Sequence, residues 1–347
     1  MKDIKYLGAF SIPIVAFLSI YFKEYFVFLT LFYAFLILPV LEIILPQYNA
    51  PLSPEEVENK NKNRLFDWLL FLNIPLVYLI LLYALLSVTN ESLASFEIIG
   101  IAFSAGIVFG VNGINVGHEL GHRQQSFQRY LGKLLLLPSL YMHFYIEHNY
   151  GHHLHVGTKE DPATARYNQS VYSFWVSSIL GQYINAWRIQ LQLLKKSGRS
   201  FLSVKNDMLW YSGIQCAYLI GIYLYFGGLG VLFSMACALV GVLLLETVNY
   251  IEHYGLSRNK TKSGRYERVS KIHSWNSNHI IGRIVLYELT RHSDHHYKSS
   301  KKYQILECHD ESPQMPFGYP TSMLLSLIPP IWFKIMNKRI PKEMISS

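Results

Sequence analysis

The residues of this sequence best suited to chemistry are its histidines, which are concentrated in one part of the chain. There are 14 of them, and none precedes residue 118. Nine fall into four motifs, HELGH, EHNYGHH, NYIEHYGL and RHSDHH, and these nine are His118, His122, His148, His152, His153, His253, His292, His295 and His296. Residues three or four apart stack on one face of a helix, so the spacing within three of the motifs predicts convergent imidazoles. His253 stands alone in NYIEHYGL and is included because it lies just beyond the apolar segment 228–250.

Convergent imidazoles predict a metal site. Neutral imidazole binds iron, zinc and copper well, and histidine is mostly neutral near pH 7 because its ordinary pKa is about 6.5. Nine ligands exceed the capacity of one four-coordinate zinc ion. Two metal ions with four or five nitrogens each would use all nine and leave positions open for oxygen. The number of histidines therefore favours a dinuclear site.

Each motif also places a carboxylate beside a histidine: Glu119, Glu147, Glu252 and Asp294. Metal-bound histidines commonly donate their other ring N–H to a carboxylate, which fixes the tautomer and raises the basicity of the ligand. We expect these four residues to support the ligands in this way, with direct coordination by one of them as an alternative. HELGH alone is a zinc-protease signature with the glutamate as base, but a protease has no use for three further motifs.

The other histidines carry no such spacing. We expect them to be ordinary hydrogen-bonded structural residues, and they are His143, His155, His273, His279 and His309.

The segments that position the motifs are strongly apolar. The chain of 347 residues is 51% hydrophobic and 16% charged, against about 25% charged in soluble domains. Roughly 20 apolar residues cross a bilayer as a helix, and six segments approach that length, namely 6–22, 25–46, 66–88, 97–117, 208–226 and 228–250. The first lacks the cleavage site of a signal peptide, so we expect it to be retained. The predicted fold class is an all-α integral membrane protein with six transmembrane helices.

The acidic residues of these segments argue against a metal transporter or sensor, which would favour charge inside the membrane. They lie near the segment ends, at Glu42, Asp67, Glu97 and Glu246.

The basic residues predict the orientation. With a cytoplasmic N-terminus the outer loops are 23–24, 89–96 and the turn at Gly227, and only Lys23 of 31 lysines and arginines lies there. This satisfies the positive-inside rule. It predicts that both termini and all four histidine motifs are cytoplasmic. The net charge of +8 fits contact with anionic membrane lipid, and without a nucleic-acid motif we expect no nucleic-acid partner.

We expect a single integrated domain over 1–347. Residues 1–117 carry the first four spans, 118–207 form a cytoplasmic or interfacial segment, 208–250 carry the last two spans, and 251–347 form a second cytoplasmic segment.

Three apolar stretches outside the spans are not expected to cross the membrane. Pro138 interrupts 131–148, which is predicted to be a buried or interfacial helix. Aromatic and basic residues at helical spacing make 171–194 a predicted interfacial helix, and 323–338 is too short and is broken by prolines. The three cysteines form no C-x-x-C pair, so we expect no iron–sulfur or rubredoxin-like module within the chain.

Together the motifs resemble the membrane-bound, non-haem di-iron alkane 1-monooxygenases of bacteria, relatives of xylene monooxygenase and of membrane fatty-acid desaturases. The matching strings are HELGHR, HFYIEHNYGHH followed by EDPATAR, NYIEHYGL, HSWNSNH, LTRHSDHH and YPTSMLLSLIPPIWFKIM. NYIEHYGL and RHSDHH favour the hydroxylase branch over the desaturases. The resemblance is dense over 118–340 and rests on topology alone over 1–117.

The resemblance implies terminal hydroxylation of n-alkanes with O2 by an enzyme of the bacterial inner membrane. It implies that the nine histidines hold two iron ions and that a separate rubredoxin, with its reductase, supplies electrons. Hydroxylation of another apolar substrate, such as an aryl methyl group or a fatty acid, and desaturation remain alternatives. The sequence departs from residues common in the family at Arg123, Thr290, Tyr297 and Glu42, where lysine, glutamine, alanine and aspartate are usual. These changes bear on substrate and partner preference, since none removes a ligand.

An alkane partitions into lipid, at about 0.8 kcal/mol per buried CH2, so we expect it to enter between the spans. Candidate lining residues, each with ordinary helix or lipid packing as the alternative, are Phe28, Phe32, Phe35, Gly106 and Gly110. On the cytoplasmic face, basic residues are candidates for steering an acidic electron carrier, although the positive-inside bias explains them equally well. They are Arg166, Lys298, Lys301 and Lys302.

Overall fold

The computed structural model describes residues 2–47 and 49–345, except for the side chain of Lys2, and within that range its regular structure is helical apart from three isolated β-bridges. The helices are α1 (Asp3–Phe22), α2 (Glu24–Ile44), α3 (Pro54–Lys62), α4 (Leu65–Asn90), α5 (Ser95–Gly121), α6 (Ser126–Leu136), α7 (144–155), α8 (Val171–Lys196), α9 (Asp207–His253), α10 (Ile280–Val285), α11 (His292–Tyr297), α12 (Tyr319–Ser326), α13 (Pro329–Met336) and α14 (Lys342–Ile345). The all-α class predicted from the sequence is therefore confirmed for this part of the chain.

Five of the described helices, α1, α2, α4, α5 and α9, are long and apolar enough to cross a membrane. The sequence predicted six spans, and the difference lies in α9. This helix runs for 47 residues, but its backbone is non-helical at Gly227 (φ 66°, ψ −168°), a conformation that glycine adopts without steric cost. At 1.5 Å per residue its residues amount to roughly 70 Å of helix, more than twice the ~30 Å hydrocarbon core of a bilayer.

Small residues bring α5 and α9 into close contact. A Cβ atom added at Gly106 would lie 2.5 Å from Cβ of Val240, and one at Gly241 would lie 3.1 Å from Cβ of Phe109. Such sites let the backbones of apolar helices approach each other. The contact aligns the C-terminal ends of the two helices, and these ends carry two of the histidine motifs.

Three helices contain a π-helical turn, in which the hydrogen bonds span five residues instead of four. These turns are Tyr33–Ile37 in α2, Phe109–Ile114 in α5 and His148–His152 in α7. Single π turns are rare and frequently mark functional sites. The turn of α7 contains two of the nine clustered histidines, His148 and His152.

A buried ionic cluster joins the N-terminal end of α1 to the loop before α11. The carboxylate of Glu288 accepts hydrogen bonds from Nε of Arg283 (2.6 Å), the hydroxyl of Tyr6 (2.6 Å) and Nζ of Lys5 (3.0 Å). Burial alone would raise the pKa of Glu288, but Arg283, Lys5 and Arg291 outweigh it and lower that pKa to about 2. The cluster thereby fixes the start of the helix that carries three of the histidines.

The predicted non-spanning stretches are helical in part. The stretch 131–148 is not the single helix that was predicted, because residues 137–143 form turns between α6 and α7. The helix predicted at 171–194 is α8, while α6 ends at Leu136 before Pro138. The stretch 323–338 falls into α12 and α13, which are separated where the prolines occur.

Candidate metal centre

The ends of four structural elements carry the nine histidines. His118 lies in the last turn of α5 and His122 directly follows that helix, whereas His253 is the last residue of α9. The remaining six lie on α7 and α11, and all nine meet at one end of the helical bundle. The structure therefore brings together the complete set selected from the sequence.

The nine imidazoles form two groups, and within each group the ligand nitrogens lie within 4.8 Å of one another. The five-histidine group contains His118, His122, His148, His153 and His295, and the four-histidine group contains His152, His253, His292 and His296. Each group thus combines residues from three distant parts of the chain.

In the five-histidine group the Nε2 atoms face one another. Nε2 of His148 lies 3.1 Å from Nε2 of His122 and 2.9 Å from Nε2 of His153. Nε2 of His295 lies 3.0 Å from that of His118 and 3.2 Å from that of His153. The four-histidine group is built in the same way, with Nε2 separations of 2.9 to 3.2 Å.

The π turn of α7 decides which histidine joins which group. In an α-helix His148 and His152, four apart, would share a face. In the π-helical backbone His148 instead pairs with His153, five residues along, and His152 turns to the other group. On α11, which is α-helical, the pair four residues apart, His292 and His296, stays in one group.

This arrangement of donors fits a metal ion better than it fits hydrogen bonding. A neutral imidazole nitrogen carries either one N–H or one lone pair. Nε2 of His148 has two imidazole nitrogens within 3.1 Å. Its single N–H or lone pair cannot form a hydrogen bond with both of them. Lone pairs that converge on one point repel unless a cation lies between them. Two such points, with five and four nitrogen donors, fit two metal ions.

Burial keeps the imidazoles of the five-histidine group neutral. Burial, reinforced by the neighbouring imidazoles, lowers the pKa of His122, His148 and His153 well below the ordinary value. Burial likewise lowers the pKa of His295 to about 3. Their lone pairs are therefore free to bind a metal ion at neutral pH, since metal binding requires the unprotonated ring.

His152 has a partner that sequence reasoning missed. Its Nδ1 lies 2.9 Å from Oδ2 of the fully buried Asp161. Burial disfavours protonation of His152, but the Asp161 carboxylate outweighs it and raises the pKa of His152. If Nε2 of His152, which faces Nε2 of His296, held a metal ion, Nδ1–H would donate to Asp161, the arrangement that orients metal-bound histidines. The sequence did contain a clue to this partner, because Asp161 belongs to EDPATAR, one of the strings that resemble the family, which follows EHNYGHH.

The four predicted supporting carboxylates are placed differently from one another. Only Glu252 lies within hydrogen-bond distance of one of the nine rings, with Oε2 3.1 Å from Nε2 of His292, and its Oε1 accepts from the hydroxyl of Tyr319 (2.7 Å). The Glu252 carboxylate therefore lies beside Nε2 of His292, the nitrogen that faces the other imidazoles, and not beside Nδ1. Within the described residues the other three bind elsewhere: Glu119 pairs with Arg123 (3.0 Å), Glu147 accepts from Asn185 (3.0 Å) and Asp294 pairs with Lys301 (2.8 Å).

The five remaining histidines lie outside both groups. His309 contacts Asp294 (2.9 Å), His273 contacts Glu267 (3.3 Å) and His279 contacts the hydroxyl of Ser277 (2.9 Å). His143 packs edge-on against Tyr141 and Tyr183. His155 ends α7 and joins neither group.

A narrow cavity of ≈ 90 Å³ leads from the bundle interior to both histidine groups. It ends at His118 and His148 of the five-histidine group and at His292 of the four-histidine group. Its other walls are mostly apolar, from α1, α2, α5, α9, α10 and α12. A second, outward-facing apolar cavity of ≈ 500 Å³ shares four wall residues with it, Phe35, Ile107, Leu244 and Met323.

The predicted lining residues divide between these cavities. Phe35 lines both, Gly110 lines the inner one and Phe32 the outer one. Phe28 and Gly106 line neither. For Gly106 the reason is its tight contact with Val240.

The residues that depart from the family's usual pattern lie outside both groups. Arg123 pairs with Glu119 (3.0 Å), and Tyr297 is exposed. Glu42 and Thr290 are buried, with the Glu42 carboxylate against the backbone of two glycines.

Comparison with known proteins first gives the class. The family model described as "Fatty acid desaturase" matches residues 94–321. This range contains all nine clustered histidines and the four helices that carry them, α5, α7, α9 and α11. An all-helical membrane bundle with such a histidine site agrees with that class.

Individual relatives narrow the family. The chain is 43% identical over 242 residues to alkane 1-monooxygenase 2 of Alcanivorax borkumensis, a match that covers 70% of this chain and 63% of the relative. It is 36% identical over 305 residues to alkane 1-monooxygenase of Acinetobacter baylyi, covering 88% and 74% of the two chains. It is 30% identical over 279 residues to the xylene/toluene monooxygenase hydroxylase component XylM of Pseudomonas putida, covering 77% and 72%.

The chain therefore belongs to the alkane 1-monooxygenase family, as its motifs predicted. Its match spans 63–64% of the length of several of these curated relatives.

Proposed function

We propose that this protein is an alkane 1-monooxygenase, which converts n-alkanes to 1-alkanols with O2 and two electrons at a centre of two iron ions. The observation that carries the proposal is the inner cavity, which is mostly apolar and ends at imidazoles of both histidine groups. An alkane offers no polar handle, so its terminal carbon must be brought to the oxidant by the shape of an apolar site.

Each histidine group would hold one iron ion, with five and four nitrogens respectively. Bound iron would supply the activation of O2, a task that amino-acid side chains cannot perform. The chain itself positions the methyl group and excludes water, because the cavity walls around the groups are mostly apolar. Asp161 orients His152 through its Nδ1–H. Glu252 and Tyr319 form a hydrogen-bonded polar pair in the same cavity wall, next to His292.

We further propose that α9 crosses the membrane twice, with Gly227 at the turn, which gives six spans and one integrated domain over 1–347. Supporting this, α9 is long enough for two crossings and non-helical at that glycine. Both ends of α9 then lie on the side of the histidine groups. We propose that this side faces the cytoplasm, which the distribution of lysine and arginine supports, and that the membrane is a bacterial inner membrane.

The outer cavity is the proposed entrance for substrate. It is lined by exposed apolar residues such as Phe32 and Leu324, which face lipid in a membrane. Phe35, Ile107, Leu244 and Met323 separate it from the inner cavity. An alkane dissolved in the bilayer reaches the site through this wall without returning to water, which would cost about 0.8 kcal/mol per CH2.

A rubredoxin, reduced by its reductase, is the proposed electron donor. Of the four basic residues predicted to dock it, Lys301 is paired with Asp294 (2.8 Å) and Lys302 with Asp67 (3.6 Å). Arg166 is better placed, since it lines an open cavity of ≈ 400 Å³ that includes Asp161, the partner of His152.

Ionic strength tests the docking. We expect the electron-transfer rate to fall with added salt and with Arg166→Gln. Lys196→Gln, an exposed control at the opposite end of α8 from Arg166, should leave the rate unchanged. A rate indifferent to salt and to Arg166 would contradict steering by this surface.

A product assay tests the reaction. The purified iron-loaded chain is supplied with rubredoxin, reductase, NADH, O2 and octane, and 1-octanol is the expected product. Aryl methyl compounds and fatty acids are offered in parallel. Oxidation of those substrates but not of octane would favour the alternative hydroxylase, and an alkene-containing fatty acid as the product would favour a desaturase.

A further inference from the structure

A polar cavity of ≈ 410 Å³ lies apart from the histidine groups, between the C-terminal end of α8, the start of α9 and the segment from α6 to α7. Four basic residues line it, Arg129, Lys133, Arg199 and Lys205, together with one acidic residue, Asp207. The wall therefore carries an excess of three positive charges. Three tyrosines, Tyr130, Tyr145 and Tyr150, also line it.

The basic residues differ in how far the protein neutralises them. Lys133 pairs with Asp207 (3.2 Å) and lies 4.4 Å above the ring of Tyr145. Arg199 and Lys205 are exposed, and neither side chain forms an ion pair or hydrogen bond with another residue in the described part of the chain. Two cationic groups thus face the cavity without an anionic partner.

The cavity adjoins an apolar strip that suits a membrane surface. Between Arg199 and the first turn of α9, the exposed fractions are 50% for Phe201, 81% for Leu202, 73% for Val204 and 55% for Trp210. The strip directly precedes a helix apolar enough to span the membrane. Tryptophan is enriched at the boundary between lipid and water, so the mouth of the cavity lies at the level of the lipid headgroups.

We infer that this cavity is a binding site for the phosphate headgroup of an anionic membrane phospholipid. The phosphate is held by Arg199 and Lys205, and the acyl chains lie along the strip from Phe201 to Trp210. Basic pockets next to membrane helices on the cytoplasmic side commonly bind anionic headgroups. The adjacent strip distinguishes a lipid from soluble phosphate, because it places apolar surface where the acyl chains leave the headgroup.

The site has a structural route to the metal centre. Tyr145 and Tyr150 line the cavity and belong to α7, which also carries His148, His152 and His153. A bound lipid therefore supports the helix that supplies three of the nine imidazoles. This inference does not depend on the identity of the substrate.

Lipid retention tests the inference. The full chain is reconstituted in vesicles of phosphatidylglycerol and phosphatidylcholine, extracted, and examined by native mass spectrometry for bound lipid. We expect wild type to retain phosphatidylglycerol in preference to phosphatidylcholine. A double variant, Arg199→Gln with Lys205→Gln, should bind it about 30-fold more weakly, at about 1 kcal/mol per basic residue.

A matched control removes the same charge from the neighbouring end of α8. Lys195 and Lys196 do not line the cavity. The double variant Lys195→Gln with Lys196→Gln should therefore retain phosphatidylglycerol as wild type does. Leu202→Ser tests the strip without changing charge and should also weaken retention. Size-exclusion chromatography verifies that each variant is folded.

Three outcomes would overturn the inference: equal loss of lipid in both double variants, equal retention of phosphatidylcholine and phosphatidylglycerol, or displacement of the lipid by inorganic phosphate alone. The last would identify the cavity as a site for soluble phosphate. Capture of an acidic protein by Arg199 and Lys205 in the presence of saturating lipid would likewise contradict occupation by lipid.

Discussion

Asp161 offers a test of how the site holds its metal, through the substitution Asp161→Asn. The carboxylate is fully buried and accepts three hydrogen bonds, at Oδ2 from Nδ1 of His152 (2.9 Å) and Oγ1 of Thr164 (2.6 Å), and at Oδ1 from the backbone N–H of Ala163 (3.0 Å). Asparagine has one carbonyl oxygen and one NH2 group. In either orientation its NH2 must face a donor, N–H of Ala163 in one case and Nδ1–H of His152 in the other.

The expected loss of iron affinity in Asp161→Asn follows from this geometry. Removing the partner of a metal-binding histidine typically costs roughly 10- to 100-fold in metal affinity or activity. A buried donor left unsatisfied adds about 1–3 kcal/mol, and about 1.4 kcal/mol corresponds to tenfold. We therefore expect an effect near the upper end, about 100-fold, in iron affinity. The loss should fall on the ion held by the four-histidine group, to which His152 belongs.

The assay is iron content per chain after equilibration against graded chelator, followed by turnover of octane. Glu267→Gln is the matched control, since it also removes a carboxylate beside a histidine, but that histidine, His273 at 3.3 Å, lies outside both groups. The control should keep the wild-type iron affinity. Unchanged iron affinity in Asp161→Asn, or equal loss in both variants, would refute the role assigned to Asp161.

Five further substitutions extend the account. His253→Ala and His295→Ala should each abolish turnover and lower bound iron, whereas His155→Ala keeps most activity; full activity in the first two would contradict the ligand assignment. Phe35→Ala joins the inner and outer cavities, so products from a panel of alkanes should shift to longer chains, and an unchanged profile would argue against this route. Glu288→Gln removes a buried carboxylate that three cations surround and should destabilise the fold by roughly 3–5 kcal/mol, as measured by thermal unfolding.

The pH dependence of that last variant follows from the sign of the shift. The pKa of Glu288 is lowered to about 2 in the folded protein, against about 4.3 for an unfolded glutamate. Its ionic contribution is therefore complete above the unfolded value and is lost as pH falls toward 2. The stability gap between wild type and Glu288→Gln should shrink below about pH 4, and a gap that widens there would contradict the account.

Residue type and clustering within three motifs predicted eight of the nine histidines, because residues three or four apart share one face of an α-helix. The ninth, His253, has no neighbouring histidine and was selected from its position just after the last apolar segment. The sequence did not predict how the nine histidines divide into two groups. It depends on the π turn at His148–His152 and on contacts between elements more than a hundred residues apart, such as His118 with His295. Asp161 was missed for a related reason, since nine residues and a turn separate it from His152.

For the apolar helices, too, the sequence predicted the elements but not the contacts between them. Their existence follows from length and composition, but a helix that is apolar all round has no face marked for the interior. Phe35 was therefore correctly placed at a cavity, while Gly106 was not, because its small size serves contact with α9. Gly227 was predicted as a turn between two spans, and its backbone departs from the helix there.

Elemental analysis of the active protein examines the metal centre most directly. Two iron ions per chain are expected, with loss of one ion in His292→Ala, a member of the four-histidine group. A single zinc ion per chain in material that hydroxylates octane would contradict a centre built from two groups of imidazoles.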